Sequence, residues 1–221
     1  MPSNSDADIL LAVQTEAKQL CASHDAAHDD LHLARVVANA MALADDEEEA
    51  GRPVDRFVIQ AAGWLHDLVQ LPKGTGAPGE SARQSSARAD QLLASLGVSS
   101  HRRRSVLHAI EIHSFSGGLC SETLDAAIVQ DADRLDALGA IGIARLWVTG
   151  ASLGGVLYSA DDPLAERREL DDRVFGLDHI ERKLLKLPET MNTASGRKEA
   201  ARRAEYVRTY RAEFLRELGV R

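Results

Sequence analysis

A histidine and an aspartate stand side by side inside apolar sequence at one point of this chain. His66 and Asp67 follow the stretch AAGWL, where a buried helix would ordinarily continue with aliphatic side chains. A carboxylate is rarely buried without a partner, because removing its charge from water is costly. Two explanations are open at this stage: an ion pair with an Arg or Lys side chain, or a metal ion bound by both side chains.

A second group of acids lies in the segment AIVQDADRLDALGAIGIA. Asp131, Asp133 and Asp136 interrupt a run that otherwise has the composition of a buried helix. Several buried carboxylates need compensating positive charge, which a divalent cation supplies in a small volume. Imidazole and carboxylate suit Mn, Fe, Co, Ni or Zn, and a ligand set without cysteine argues against a structural zinc site. The two groups predict a metal centre with open positions for water or a substrate oxygen.

The remaining histidines are weaker candidates. His24, His28 and His32 recur every four residues and lie on one face if that segment is helical, although a solvated helix entrance explains them equally well. His108 and His113 lie on or beside another predicted helix. Residues five apart point about 140° apart on a helix, so we do not expect both to bind the same ion.

Helices are the elements predicted to position these residues. Apolar side chains recur at helical spacing in most of the chain, and no segment shows the sustained alternation of a strand. The sequence therefore predicts an all-α fold with no internal repeat and no linker. The predicted helices lie within 8–21, 31–50, 53–68, 87–97, 102–115, 121–150, 177–191 and 197–218. Two segments are predicted to be loops, 71–85 with its three glycines and two prolines, and 150–173.

Composition restricts the class of protein. With 44% hydrophobic and 27% charged residues, the 221-residue chain is typical of a globular domain. A net charge of -8 argues against general adhesion to nucleic acid or anionic lipid. Two cysteines, Cys21 and Cys120, cannot form a disulfide framework, so we expect a reducing cytoplasm. Neither a signal peptide nor a membrane span is predicted.

Three motifs in order carry a resemblance to a known family. HLARV (32–36), LHD (65–67) and DADRL (131–135) resemble the HD-domain phosphohydrolases. The longer phrases HDDLHLARV, IEIHSFS, IVQDADRLDALGAIG and LDDRVFGLDHIERKLLKLPETM are similar to its YedJ/YpgQ-like branch, so the resemblance covers approximately 24–200. It implies one HD-type domain over 1–221, a single-domain helical bundle with a metal-binding core at about 24–150 and C-terminal helices 171–219 packed on it.

The resemblance also implies a ligand set. It assigns four metal ligands, which are His32, His66, Asp67 and Asp133. His32 is preferred over His28 because the family's first ligand precedes a three-residue gap and a valine, here Val36. Asp133 is preferred over Asp131 because the last ligand is the acid just before the Arg134-Leu135 step. Asp131 is then expected to orient a ligand histidine.

Catalytic and substrate-binding residues are predicted around these ligands. The candidates for contacting phosphate or transferring protons are His28, Arg35, Lys73, Asp131 and Arg134. An ordinary ion pair is the alternative for each cation, and the loop 71–85 could be a lid or a passive connection. In several branches of the family a histidine of the helix that here carries His113 and His108 binds a second metal or the substrate phosphate, and His113 is the better candidate.

The predicted activity is hydrolysis of a phosphorylated small molecule by metal-activated water. The substrate is expected to be a nucleotide, with nucleoside or deoxynucleoside triphosphate pyrophosphohydrolysis suggested by the branch. The cofactor is a divalent ion, Mn, Fe, Co, Ni, Mg or Zn, with Mn favoured. A regulatory protein that binds metal and nucleotide without turnover is the alternative, and a structural helical domain explains the buried acids poorly. Monomer and homodimer remain open.

Overall fold

The computed structural model describes residues 5–22, 29–71, 77, 79–113 and 121–220. The prediction of an all-α fold is confirmed, because these residues form helices and, outside them, only a single β-bridge between Val156 and Phe175. The helices are α1 (Asp6–Cys21), α2 (Asp30–Glu49), α3 (Arg56–Leu65), α4 (Glu80–Ser95), α5 (Ser100–Ile112), α6 (Leu124–Asp136), α7 (Gly139–Ser152), α8 (Gly176–Arg182) and α9 (Ala194–Glu217).

The chain divides into two compact units, 1–133 and 134–221, with the boundary inside α6. The predicted extent of the metal-binding core and of the C-terminal helices packed on it stays a prediction. None of the described helices combines the length and the apolar character needed to cross a membrane.

Helix α3 is the centre of the first unit. It packs against α1, α2, α4 and α5, and nearly all of its side chains are buried. Its start is fixed by Asp55, whose carboxylate accepts hydrogen bonds from the backbone N–H of Phe57 and Val58. Helix α2 approaches closely at Gly63, where a Cβ atom would lie 2.8 Å from Cγ2 of Val37. Because α3 is enclosed in this way, the residues at its C-terminal end have a fixed position in the unit.

An arginine joins three helices at the other end of α3. The Arg102 guanidinium of α5 donates to Asp55 at the start of α3 and, at 2.8 Å, to both carboxylate oxygens of Asp6 in α1. The same group stacks 4.1 Å from the ring centroid of Phe57. These contacts stabilise the starts of α1 and α3 against α5.

The second unit contains the long helix α9 and the elements that pack on it. Helix α7 contacts α9 through a partly exposed aromatic cluster, in which Trp147 stacks on Phe214 and donates 2.9 Å to the hydroxyl oxygen of Tyr210. Helix α8 and the 3₁₀ segment Leu184–Thr190 also pack on α9. The predicted loop 150–173 is largely irregular after α7 ends at Ser152.

Two predicted helical segments are divided in the structure. The segment 177–191 forms α8 and then a 3₁₀ helix, because Pro188 has no N–H to donate and disfavours α conformation at the residue before it. The segment 121–150 breaks between α6 and α7, where Gly139 has φ +70°. A side chain at Gly142 would collide with the backbone of Ala137, since its Cβ would lie 2.2 Å away.

Candidate metal centre

His32 lies in the first turn of α2 and its side chain is fully buried. The helix begins at Asp29, whose Oδ1 accepts a 2.9 Å hydrogen bond from the backbone N–H of His32. The capping acid therefore determines where the first turn begins, and with it the position of the imidazole.

His66 and Asp67 lie where α3 ends. His66 is the residue that follows the last full turn, and its Nδ1 donates a 2.9 Å hydrogen bond to the carbonyl oxygen of Gly63. With its proton on Nδ1, the neutral ring has a lone pair on Nε2. Asp67 follows in a turn, and the Cys21 thiol donates to its backbone carbonyl at 3.8 Å. The adjacent pair predicted from the sequence is thus presented by a helix end.

Asp133 reaches the same place from α6. Its Oδ1 lies 3.5 Å from Nε2 of His32 and 3.8 Å from Nε2 of His66. The amide of Asn39, two turns after His32 on α2, donates at 3.4 Å to the carbonyl of Ala132. This hydrogen bond connects α2 to α6 one residue before the acid.

The four residues form one cluster inside the first unit. Oδ2 of Asp67 lies 3.8 Å from Nε2 of both His32 and His66, and the two Nε2 atoms are 3.3 Å apart. Both histidines are fully buried, whereas the carboxylate side chains keep 14% and 25% exposure, so the cluster is reached from solvent on its acidic side. Two imidazole nitrogens and two carboxylate oxygens are a donor set that fits a divalent first-row ion.

His113 joins the cluster from the end of α5. Its Nδ1 donates at 2.6 Å to the carbonyl of Ile110, which directs Nε2 to within 3.6 Å of Oδ1 of Asp67. Its ring packs edge-on against His66 with centroids 4.8 Å apart. His66, Asp67 and His113 form a second group that could hold a metal ion, next to the group of His32, His66 and Asp133. Its proposed role, in substrate binding or a second metal, stays a prediction.

Burial and charge act against each other on the ionisable groups of the cluster. Burial lowers the pKa of His66 to about 4. For Asp67, burial alone would raise the pKa, but the neighbouring imidazoles, with His66 first, lower it well below its usual value. The same competition lowers the pKa of Asp133. In His113 the opposing effect of burial is outweighed by Asp67, which raises the pKa. Neutral imidazole beside ionised carboxylate is the protonation state that binds a cation.

The other predicted site residues that the structure describes are Arg35, His108, Asp131 and Arg134. Asp131 is fully buried, and Arg35 is half-buried on α2. Arg134 belongs to the second unit, where its guanidinium donates to the carbonyl of Thr190. His108 accepts a 3.4 Å hydrogen bond from the backbone N–H of Glu122. Their catalytic or binding roles remain predictions.

Some candidates cannot be placed and others have structural partners. His28 and Lys73 lie outside the described residues. Asp136, the third acid of its segment, is buried in a 2.8 Å ion pair with Arg145 in the second unit, so a guanidinium compensates its charge, where the sequence predicted a cation shared with the other acids. His101 is exposed.

Several residues that support the cluster were not identified from the sequence. Gln70 donates from Nε2 to Oδ2 of Asp67 at 3.1 Å. The buried Ser85 of α4 accepts a 3.0 Å hydrogen bond from the backbone N–H of Val69. Gln130 of α6 donates to the carbonyl of Ile112, one residue before His113. Their only signal in the sequence is a polar side chain within a few residues of a ligand or on a buried helix face.

Comparisons with known proteins show a family to which the sequence is similar. The family model described as the HD domain matches residues 30–138. The uncharacterized protein YpgQ of Bacillus subtilis is 31% identical over 212 residues, which cover 93% of this chain and 90% of YpgQ.

Solved structures show the same similarity. A protein from Lactobacillus plantarum has a TM-score of 0.74 at 30% identity, with 96% of this chain and 97% of that chain covered. An HD-superfamily hydrolase from Bacillus thuringiensis has a TM-score of 0.73 at 29% identity, covering 98% and 100%. The crystal structure of Bacillus subtilis YpgQ in complex with ADP has a TM-score of 0.69 at 26% identity, covering 96% of each chain.

Proposed function

The chain belongs to the HD domain family, and from that membership we propose that it is a metal-dependent phosphohydrolase acting on a nucleotide. The observation that carries the proposal is the convergence of His32, His66, Asp67 and Asp133 from helices α2 and α6 and from the turn that follows α3. These four residues are the proposed metal ligands, and Mn is the favoured ion among Mn, Fe, Co, Ni, Mg and Zn. A divalent ion bound there would lower the pKa of a water molecule and offset the negative charge of a phosphate group.

The residues of the chain supply the rest of the site. The Gly63 carbonyl holds His66 in the tautomer that leaves Nε2 free, and the Ile110 carbonyl orients His113 in the same way. His113, whose pKa is raised by Asp67, is suited to contact a phosphate oxygen or to move a proton. We assign it that role ahead of His108, which lies beside Glu122.

A nucleotide is the proposed substrate class. The support is the structure of the similar protein YpgQ with ADP. Nucleoside or deoxynucleoside triphosphate pyrophosphohydrolysis is the proposed reaction, and it releases a monophosphate and pyrophosphate. Arg35, Lys73, Arg134 and His28 are the proposed phosphate contacts, and Asp131 is proposed to support a ligand histidine. The reducing cytoplasm remains the proposed location, on the cysteine content of the chain.

The experiment is a product analysis with purified protein. Metal-free protein is reconstituted with Mn²⁺. Samples of it are then incubated in separate reactions with nucleoside triphosphates, monophosphates or cyclic nucleotides, and the products are separated by chromatography. Hydrolysis that requires Mn²⁺, stops with EDTA and is lost in Asp133→Asn supports the proposal. Activity that persists in EDTA contradicts it. Stoichiometric binding of nucleotide and metal without any product would instead establish the regulatory alternative.

A matched control distinguishes the cluster from general loss of charge. Asp45 lies on α2 with a 57% exposed side chain paired to Arg56. Asp45→Asn makes the same chemical change as Asp133→Asn outside the cluster and is expected to keep full activity. If both variants lose activity equally, the assignment of Asp133 is wrong.

A further inference from the structure

We propose that Gln70 is a positioning residue that fixes the orientation of the Asp67 carboxylate among the proposed metal ligands. The proposal rests on the proposed metal-binding function and adds a residue to it. The Gln70 side chain reaches back three residues and donates from Nε2 to Oδ2 of Asp67 at 3.1 Å. The carboxylate can only accept from this amide, so the donor must be the NH₂ group.

The two oxygens of Asp67 have different neighbours. Oδ2 is the atom 3.8 Å from the Nε2 atoms of His32 and His66, whereas Oδ1 lies 3.6 Å from Nε2 of His113. The two oxygens are chemically equivalent, so a half-turn about the Cβ–Cγ bond changes nothing, but a smaller rotation moves both oxygens away from these histidines. The hydrogen bond from Gln70 to Oδ2 resists that rotation and holds the carboxylate plane in the orientation that directs Oδ2 toward His32 and His66.

Gln70 can hold the carboxylate because its own backbone is held on both sides. The N–H of Val69 donates to Oγ of Ser85 at 3.0 Å, and the N–H of Leu71 donates to Oγ of Ser81 at 3.4 Å. Both serines belong to α4, and Ser85 is fully buried. Leu68, before Val69, is buried as well. The turn that carries Gln70 is therefore attached to a helix, so only the side-chain torsions of Gln70 remain to be ordered when its amide binds Asp67.

The test measures Mn²⁺ affinity of the full chain, without substrate, by electron paramagnetic resonance of free Mn²⁺. Gln70→Met keeps the length of the side chain and removes the donor. Removing a group that orients a ligand typically weakens metal binding by about 10- to 100-fold, and that is the expected change in Kd. Gln70→Asn keeps an amide that is one methylene too short to reach, and we expect it to behave like Gln70→Met.

Gln84→Met is the matched control. Gln84 is an exposed residue of α4 whose amide donates to Glu80, and it makes no contact with Asp67. Its Kd for Mn²⁺ is expected to stay within about twofold of the unmodified chain. The melting temperature of each metal-free variant is measured alongside, and a positioning role predicts that Gln70→Met weakens binding while this temperature stays unchanged.

A double substitution tests whether Gln70 acts through Asp67. Residues that act through a shared partner are not additive, so Gln70→Met is expected to cause no further loss in an Asp67→Ala chain. A further tenfold loss in that background would overturn the proposal, and so would unchanged affinity in both Gln70 variants. A chain that binds no Mn²⁺ before any substitution would instead overturn the proposed function, so the two failures can be told apart.

Discussion

Two of the buried histidines make the same local hydrogen bond at the end of a helix. His66 and His113 each follow the last residue of a helix, and each donates from Nδ1 to the carbonyl three residues earlier. The last carbonyls of a helix have no partner within it, so an imidazole at this position satisfies one of them. The same bond directs Nε2 away from the helix. A histidine at a helix end is thereby prepared to be a ligand before any ion is bound.

The pKa values of the two histidines are expected to be shifted in opposite directions in the metal-free chain. Burial lowers the pKa of His66 to about 4 from 6.5, and Asp67 raises that of His113. Folding stability contributed by His66 is therefore present above pH 6.5 and lost as the pH falls toward 4. The contribution of His113 is present below pH 6.5 and lost as the pH rises through its raised pKa.

Ring-proton nuclear magnetic resonance measures both values directly. The signals are assigned with His66→Gln and His113→Gln and followed from pH 4 to 9. His113 is expected to gain its proton first as the pH falls, and His66 last. Simultaneous titration of the two rings would contradict the opposing environments described for them.

At the scale of residues, the sequence predicted the members of the cluster better than the residues that support them. His66, Asp67 and Asp133 are conspicuous because each is a charged or polar group within an apolar segment. Gln70 is not conspicuous in the sequence, because a glutamine beside a loop is common whether its amide faces solvent or a carboxylate. Its role depends on the turn after α3, whose geometry is decided by α4 and not by the residues around Gln70.

Helix α4 is the element that fixes the turn after His66 and Asp67. Ser85→Ala is expected to lower the free energy of unfolding by about 1 kcal/mol, because the partly buried N–H of Val69 loses its hydrogen bond to the hydroxyl of the fully buried Ser85. Urea denaturation of the metal-free chain measures this. Ser95→Ala, an exposed change at the end of the same helix, serves as the control and is expected to change the free energy of unfolding by less than about 0.5 kcal/mol. Equal effects of the two changes would show that the Ser85 hydroxyl is not needed.

Some helix boundaries followed a local signal in the sequence, whereas α4 begins at Glu80, inside the segment 71–85 that was predicted to be a loop. The start of α3 follows Pro53 and is capped by Asp55, and the end of α2 is followed by Gly51. The break between α6 and α7 was not predicted, because its cause is the close approach of Gly142 to the backbone of Ala137. Such a contact depends on the path of the chain and leaves only an unremarkable glycine in the sequence.

For the molecule as a whole, metal binding is expected to stabilise the folded state. A ligand that binds only the folded chain adds about 2.7 kcal/mol at one hundred times its Kd. For a protein of this length that corresponds to a rise in melting temperature of about 5–11 °C. Calorimetry with and without Mn²⁺ measures the shift.

The shift should depend on the cluster alone. It is expected to disappear in Asp67→Asn and to persist in Asp45→Asn, which changes an exposed acid of the same unit. A shift of equal size in both variants would place the bound ions elsewhere on this acidic chain.

The fold class was predictable because it depends on composition and periodicity, which the whole chain displays. The division into two compact units was not, because the boundary after Asp133 falls within α6, a helix that has no glycine or proline at that point. Periodicity reports which residues are buried, and not which neighbours bury them.

Cys21 has a consequence for the choice of ion. Its thiol lies against the backbone of Asp67, and burial raises its pKa to about 11. Only the thiolate is a strong ligand and nucleophile, so at neutral pH this sulfur neither competes for soft ions such as Cu(I) nor reacts readily with oxidants. The centre is thereby lined with hard and borderline donors although a cysteine lies directly behind it. The donors that the proposed centre offers to an ion are therefore imidazole and carboxylate, and not this sulfur.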